Sequence, residues 1–375
     1  MLRVSGQGLE FLGFVVLARR LAPSDFGTLS VAFLIARYGG LVGDFGASVR
    51  GVRDVAALAT PNALRSYQRR RVEVTAAAAL IYIGVAVTTS HATVAPLVVT
   101  LISRGMNRDW MALGSERGIR AGAPLALQGF LVASVSLVVS SVGTAALALG
   151  VAYGASLVVS LVANPMPPSD GHARVPVDGW LLIATLADQI TISTDTVLLA
   201  ALRSTREAGI YAAMYRIPNA WLTLIGLIVI GMVPGTTRQV VRNPLAIRAA
   251  SMRNLRVGAT AALVVLITAP PIVVASGALF GRDYRSGRTA LAILLAATAI
   301  NAVAASLHPI YLALGRDRAQ SAIASSAAAL NFSANLVLIP AFGMVAAAST
   351  TLAAQVLLLL CFGIGVWRAS SPAAT

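Results

Sequence analysis

The sequence predicts an all-α polytopic membrane protein with about twelve transmembrane helices. Three observations predict it. Hydrophobic residues make up 57% of the 375 residues and charged residues only 11%, against roughly 25% charged in ordinary globular chains. Apolar stretches recur from one end of the chain to the other, several reaching the roughly 18–20 residues that cross a hydrocarbon core. Arginines gather in the short loops between them. No segment is both polar enough and long enough to form a separate soluble domain.

Taken in order, the spans fall at approximately Leu2–Ala18, Phe26–Phe45, Val72–Ser90, Thr93–Met106, Pro124–Val139 and Thr144–Leu161, then Trp180–Leu202, Tyr211–Val233, Leu255–Phe280, Ala290–Leu314, Ala319–Ile339 and Met344–Trp367. The first is short, which predicts that native residues precede it. No cleavable signal peptide is visible, because the apolar start continues through Arg19 and Arg20 into the protein. Between spans six and seven, Asn164-Pro165-Met166-Pro167-Pro168-Ser169-Asp170-Gly171 is rich in turn formers. It marks a cytoplasmic linker at 163–178 between a six-helix bundle at 1–162 and another at 179–375. A faint internal repeat agrees. Residues 25–32 read DFGTLSVA and residues 207–214 read EAGIYAAM, each opening the second helix of its half. Each is followed by an intramembrane arginine, Arg37 or Arg216. An even number of helices per half makes the repeats parallel.

Loop charge sets the orientation. Arg50, Arg53, Arg65, Arg69, Arg70 and Arg71 follow span two, Arg108, Arg117 and Arg120 follow span four, Arg238, Arg242, Arg248 and Arg253 follow span eight, and Arg316 and Arg318 follow span ten. Loops 91–92, 140–143 and 340–343 carry none. Both termini are therefore expected in the cytoplasm. Arg19, Arg20, Arg203, Arg206, Arg282, Arg285 and Arg288 would lie outside, too few to reverse the orientation.

The net charge of +15 comes with 29 basic residues, all of them Arg. Positive-inside topology explains it better than nucleic acid, since there is no basic stripe with interleaved aromatics. Cys361 is the single cysteine and sits in an apolar run; His91, His172 and His308 lack ligand spacing. No metal and no cofactor is expected. Enzyme signals are missing too: there is no phosphate loop, which needs a Lys, no Ser-His-Asp arrangement at a loop, and no aspartate pair of the nucleotide-sugar transferase kind.

Four stretches carry a resemblance to a known family. They are Ala18-Arg19-Arg20-Leu21-Ala22-Pro23-Ser24-Asp25-Phe26-Gly27; Asp44-Phe45-Gly46 with Arg50 and Arg53-Asp54; Asp109-Trp110 with Gly114-Ser115-Glu116-Arg117; and Leu279-Phe280-Gly281-Arg282-Asp283-Tyr284 with Leu338-Ile339-Pro340-Ala341-Phe342-Gly343. In order and spacing the chain resembles the polysaccharide-exporter, or O-antigen flippase, family of the MATE-like multidrug/oligosaccharidyl-lipid/polysaccharide superfamily. Ala22 departs from the family's usual Gly, and twelve spans is the low end for the superfamily. The resemblance implies two bundles around a central cavity, alternating access, a polyprenyl-diphosphate-linked glycan as substrate, and the bacterial cytoplasmic membrane as location. Membrane lipids, and glycosyltransferases and a polymerase of the same pathway, are the implied partners.

Ionisable groups at membrane depth are costly and invite a functional reading. Arg37 lies roughly 16 Å into span two at 1.5 Å per residue. Its guanidinium fork suits a diphosphate; the competing reading is an ion pair with Asp188 or Asp195. Arg216 lies nearer the outer end of span eight, where it lines the cavity or snorkels. Arg19 matches the family's opening motif and serves as a contact or an interface anchor. Asp188 and Asp195 are seven apart and share a helix face; one could bind a coupling proton or cation, the other neutralise Arg37. Asn331 and Asn335 are four apart, placed for interhelical hydrogen bonding or for sugar contact. Gly39, Gly40 and Gly43 read as a close-packing face, and His308-Pro309 as a kink.

The leading expectation is a flippase and not an enzyme. A proton- or cation-coupled multidrug exporter of the same superfamily is the first rival; it would use acids in the first half, where span one offers only Glu10. A glycan polymerase or ligase would present a large outer loop. An inactive, truncated transporter is the remaining alternative. The loop charges make one direct prediction. A topology reporter fused after Arg71 is expected to be active only in its cytoplasmic form, and activity of the periplasmic form would reverse the orientation.

Overall fold

The computed structural model describes residues 2–44, 55, 61–89, 91–115, 117–168, 194–242 and 246–370. They are helical with no strand, because a chain in hydrocarbon must satisfy its backbone N–H and C=O groups within each segment. Eight helices among these residues are long and apolar enough to cross a membrane. The chain is thus an all-α, multi-pass membrane protein. It divides into two compact units, Met1–Leu186 and Ala187–Thr375. Of the linker predicted at 163–178, residues 169–178 lie outside the described residues.

The first unit contains α1 (Leu2–Arg20), α2 (Pro23–Asp44), α3 (Pro61–Thr88), a 3-10 turn (Ala92–Leu97) leading into α4 (Val98–Met106), the short α5 (Asp109–Gly114), α6 (Gly118–Ser136) and α7 (Val142–Ala163). The second contains α8 (residues 194–202), α9 (Thr205–Arg242), α10 (Ile247–Phe280), a 3-10 turn (Arg282–Gly287), α11 (Arg288–Ala305), α12 (His308–Ala313) and α13 (Asp317–Ala369). At Gly343 the backbone of α13 leaves the helical region, with φ 58° and ψ −137°, so α13 is two helices joined at a break. The described part of each predicted span is largely helical: span four runs through the 3-10 turn into α4, span ten covers α11 and α12, spans eleven and twelve are the two halves of α13, and the seventh is described only from residue 194.

Two expectations need adjustment. The stretch before Val72 is not all loop: α3 begins at Pro61, so Arg65, Arg69, Arg70 and Arg71 lie on its first turns. Arginine is a good helix former, and Arg69 pairs with Glu73 one turn on at 3.0 Å. α9 and α10, at 38 and 34 residues, likewise outrun the ~20 that span a bilayer. Span ten breaks before His308, in keeping with the kink read at His308-Pro309; Pro309 sits in the first turn of α12, where its missing N–H costs nothing.

Glycines hold the first unit together. In α1, a Cβ at Gly6 would overlap the Leu125 carbonyl of α6, and one at Gly13 would lie 2.8 Å from Val132 Cγ1. From the other side, a Cβ at Gly129 would overlap the Gly6 carbonyl. Spacings of seven keep these glycines on one seam, and the two backbones run in contact along it. Gly39 and Gly40 of α2 meet Leu101 and Arg104 of α4, and Gly43 meets Thr75 of α3. At that end Arg71, fully buried, pairs with Asp44 at 2.7 Å and donates to the Asn107 carbonyl at 2.6 Å, tying α2, α3 and the end of α4 together.

In the second unit α11 is the central helix, with Leu291, Leu294, Leu295 and Ala297 buried. Phe362 of α13 packs edge-on against His308 at 4.8 Å and Tyr311 at 5.1 Å.

The glycine seam generates a test with an internal control. Gly129→Val is expected to destabilise the protein by about 1–3 kcal/mol or more. Gly8→Val, on α1 with nothing within 4 Å of its would-be Cβ, is expected to stay within about 0.5 kcal/mol of the parent. Thermal melts in detergent compare the two; equal melting would remove the seam.

Candidate functional site

In the first unit, polar side chains from five helices converge in otherwise apolar surroundings. Glu10 of α1 accepts from the Tyr153 hydroxyl of α7 at 2.7 Å and from the Gln128 amide of α6 at 3.1 Å. Tyr153 stands edge-on to Phe33 of α2, centroids 5.7 Å apart, and Phe33 also packs on Phe14 of α1 at 5.2 Å. One turn further along α2, the Arg37 guanidinium carbon lies 5.9 Å from the centre of the Phe33 ring, a cation–π distance. Arg104 of α4 completes the group; its charge is within electrostatic reach of Arg37, Asp44, Tyr153 and Glu10. Arg37 is half-buried and Arg104 exposed. The sequence singled out Arg37 and passed over Arg104, which sits three residues from a loop and looks like an interface arginine there.

Below this group, the Asp109 carboxylate of α5 accepts from Ser160 of α7 at 2.5 Å. Burial pushes its pKa above the usual carboxylate range, against the opposing pull of the Ser160 hydrogen bond and of the Arg3 and Arg71 charges.

In the second unit the centre is Asp195, fully buried on α8. One carboxylate oxygen accepts from the hydroxyls of Tyr211 on α9 and Thr351 on α13, both at 2.8 Å. The other accepts from the Asn335 amide at 2.6 Å. Asn335 also donates to Asn331 Oδ1 at 3.1 Å and accepts from Thr350. Asn331 and Asn335 are 1% and 0% exposed, so both face the interior of this unit. The Asn331 amide nitrogen has no hydrogen-bond partner among the described residues. Because Asn331 and Asn335 precede the Gly343 break and Thr350 and Thr351 follow it, the network clasps the two halves of α13 to α8 and α9. Beside it, a crevice of about 10 Å³ is lined by Tyr215, Thr298, Asn301, Thr351 and Gln355. That is room for a single water-sized guest with several polar neighbours. Among the described residues no group of three or more His, Cys, Asp or Glu could hold a metal ion.

The other predicted residues are placed separately. Arg19 is exposed at the end of α1, and Arg216 is half-buried on α9. Asp188 lies outside the described residues. The faint repeat has a structural echo. Arg20, after the first helix of its unit, donates to the Val139 carbonyl at 3.4 Å, and Arg203, after the first described helix of the other, donates to the Pro340 carbonyl at 3.1 Å. Glu207, the acid of the second repeat, accepts from the Met344 N–H at 2.7 Å and so caps the second half of α13. A Cβ on Gly343 would overlap that carboxylate, and at φ 58° a glycine is the residue that fits. Sequence reasoning missed Tyr211, Thr350 and Thr351, because hydroxyls are ordinary in membrane helices.

No family model and no curated protein matches the chain. Solved structures do. An inward-facing multidrug resistance MATE family transporter of the MOP superfamily matches over 97% of this chain and 95% of its own, with 12% identity and a TM-score of 0.76. The lipid II flippase MurJ, in an inward closed conformation, matches over 97% and 88%, with 10% identity and a TM-score of 0.71. A Vibrio cholerae MATE transporter, VcmN, matches over 98% and 94%, with 13% identity and a TM-score of 0.61. At these identities the likeness shows the fold: the chain has the architecture shared by MATE transporters and MurJ.

The Asp195 network predicts an asymmetry between two substitutions. Asp195→Ala strands three buried donors and is expected to cost about 2–4 kcal/mol. Asp195→Asn keeps the shape and one acceptor and is expected to fold at near-parent stability. Equal melting of Asp195→Ala and the parent would show that the donors find other partners.

Proposed function

We propose that this chain is a flippase. It would move a polyprenyl-diphosphate-linked oligosaccharide across a bacterial cytoplasmic membrane, for cell-surface polysaccharide synthesis, by alternating access between two six-helix bundles at 1–162 and 179–375. Both termini would face the cytoplasm. The observation that carries the reading is Arg37: a guanidinium inside a transmembrane helix, held by an aromatic ring and with no ion pair or hydrogen bond to a described residue. Charged groups at that depth cost about 3 kcal/mol or more without a partner. An anionic headgroup that must cross the apolar core supplies one. The fold shared with a lipid II flippase supports the same class of cargo.

In this reading the diphosphate leaves the headgroup region for a water-filled cavity and is gripped there through the fork of Arg37. Arg216 and Arg19 are further candidates for contact along the path, and Asn331 and Asn335 act through the Asp195 network or, on rearrangement, touch sugar. Asp195 is the candidate coupling group. Its carboxylate is buried, enclosed by three donors and next to a water-sized crevice through Thr351, so gaining or losing a proton or a cation would rebuild the joint at Gly343. A multidrug exporter is the second reading, favoured by the fold shared with MATE transporters. In that case Glu10, already bonded to Tyr153 and Gln128, would be the group that binds protons.

Proteoliposomes carrying a fluorescent polyprenyl-diphosphate oligosaccharide and an externally added quencher decide between them. Arg37→Ala is expected to abolish flipping while the protein still inserts and melts normally. Arg37→Lys should recover part of the rate, since Lys keeps the charge but not the fork. Asp195→Asn should slow flipping without loss of folded protein. Normal flipping by Arg37→Ala would refute the contact, and parent protein that moves cationic dyes but not the lipid would favour the exporter.

A further inference from the structure

We infer that Arg37 and Arg104 form a two-cation site on the first unit, and that Arg104 makes this site select a doubly charged diphosphate diester over a singly charged phosphate diester. The inference rests on the flippase reading and adds to it a residue and a rule of selectivity.

The geometry begins with Gly40. A Cβ there would lie 2.5 Å from the Cβ of Arg104 and 2.8 Å from the Leu101 carbonyl. The root of the Arg104 side chain therefore rests directly on α2. Arg37 is three residues before Gly40, so the two share a helix face about one turn apart. The two charges are within electrostatic reach of each other, Tyr153 is within reach of both, and Asp44 and Glu10 act on Arg104. Two guanidiniums repel, and a fold keeps them close only when something offsets the repulsion.

Asp44 and Glu10 offset part of it from a distance, but no described acid meets either cation directly. Neither guanidinium makes a hydrogen bond or an ion pair with any of them. The nearby acids are committed elsewhere: Asp44 to buried Arg71 at 2.7 Å, and the two oxygens of Glu10 to Tyr153 and Gln128. Glu10 lowers the local potential without capping either cation. The Phe33 ring lies 5.9 Å from the Arg37 guanidinium carbon, and a ring face takes none of the fork's N–H donors as a hydrogen-bonded oxygen would. Arg104 is exposed and has its own five donors. A diphosphate diester carries one negative charge on each phosphorus, with two free oxygens beside each. Two cations whose side chains start level with neighbouring turns of α2 suit a ligand with two charges, whereas a monophosphate diester can engage one fork and leaves the other repelled.

The test uses the full chain in nanodiscs and two synthetic probes that differ only in the bridge: polyprenyl-diphosphate-N-acetylglucosamine and polyprenyl-monophosphate-N-acetylglucosamine. Affinities are read by competition. The parent is expected to prefer the diphosphate by about tenfold or more, one tenfold step being about 1.4 kcal/mol. Arg104→Gln should lower diphosphate affinity about tenfold and leave monophosphate affinity within about twofold, so the preference collapses; Arg104→Lys should restore part of it. Glu10→Gln, which keeps an acceptor for Tyr153 and removes a negative charge, should tighten diphosphate binding. Melting of each variant is measured alongside. If Arg104→Gln retains the preference, or weakens both probes equally, Arg104 is not a selective contact and the inference fails. In that event loss of binding by Arg37→Gln would leave the flippase reading standing without Arg104. If the parent binds neither probe, the flippase reading fails and the inference falls with it.

Discussion

A polar group placed in hydrocarbon has to find its partner inside the protein, and the rest of this structure follows from that constraint. The backbone meets it by being helical. Helices packed in lipid gain little from apolar burial alone, since lipid tails are as apolar as leucine. Close approach has to supply the attraction, and the Gly6–Gly13 and Gly122–Gly129 faces of α1 and α6 remove the side chains that would prevent it. The same requirement explains Arg71, which is buried completely yet meets Asp44 and the Asn107 carbonyl.

The two units satisfy the constraint differently. In the second unit the buried acid is surrounded by donors from its own helices: Tyr211, Thr351 and Asn335 enclose Asp195, and the chain of hydrogen bonds ends at an Asn331 amide with no partner among the described residues. This cluster spans the break at Gly343, where Glu207 caps the continuing helix. Asp195 is therefore bonded to residues on both sides of the joint in α13. In the first unit the acid is the satisfied group and the cations are left over. Glu10 has its two donors, while Arg37 and Arg104 make no ion pair or hydrogen bond with a described residue. One unit holds its buried acid in a closed hydrogen-bond network; the other holds two cations that no described residue pairs.

Much of the candidate site was legible because charge in an apolar run is conspicuous. Arg37, Asp195, Asn331 and Asn335 stand out against their neighbours, and the glycines after Arg37 pointed to the close contact that α2 makes with α3 and α4. Arg104 was not legible: three residues from the loop that holds Arg108, an arginine ordinarily reaches for the interface. Tyr211, Thr350 and Thr351 carry no charge, and a hydroxyl in a helix usually bonds back to its own turn. The Arg20–Val139 and Arg203–Pro340 contacts were hidden at helix ends and breaks whose sequences share nothing obvious.

By itself the sequence determined that the chain is helical and that it crosses a membrane many times. Composition and run length suffice for that, because solvation by lipid acts on each segment independently. It also showed which side chains are too polar for their surroundings. Tertiary structure alone decided how each of those is satisfied, since a hydrogen bond such as Asn335 to Asp195 joins residues 140 positions apart. Whether a buried charge is a strut or a site depends on what its neighbours offer, and the neighbours are set by packing.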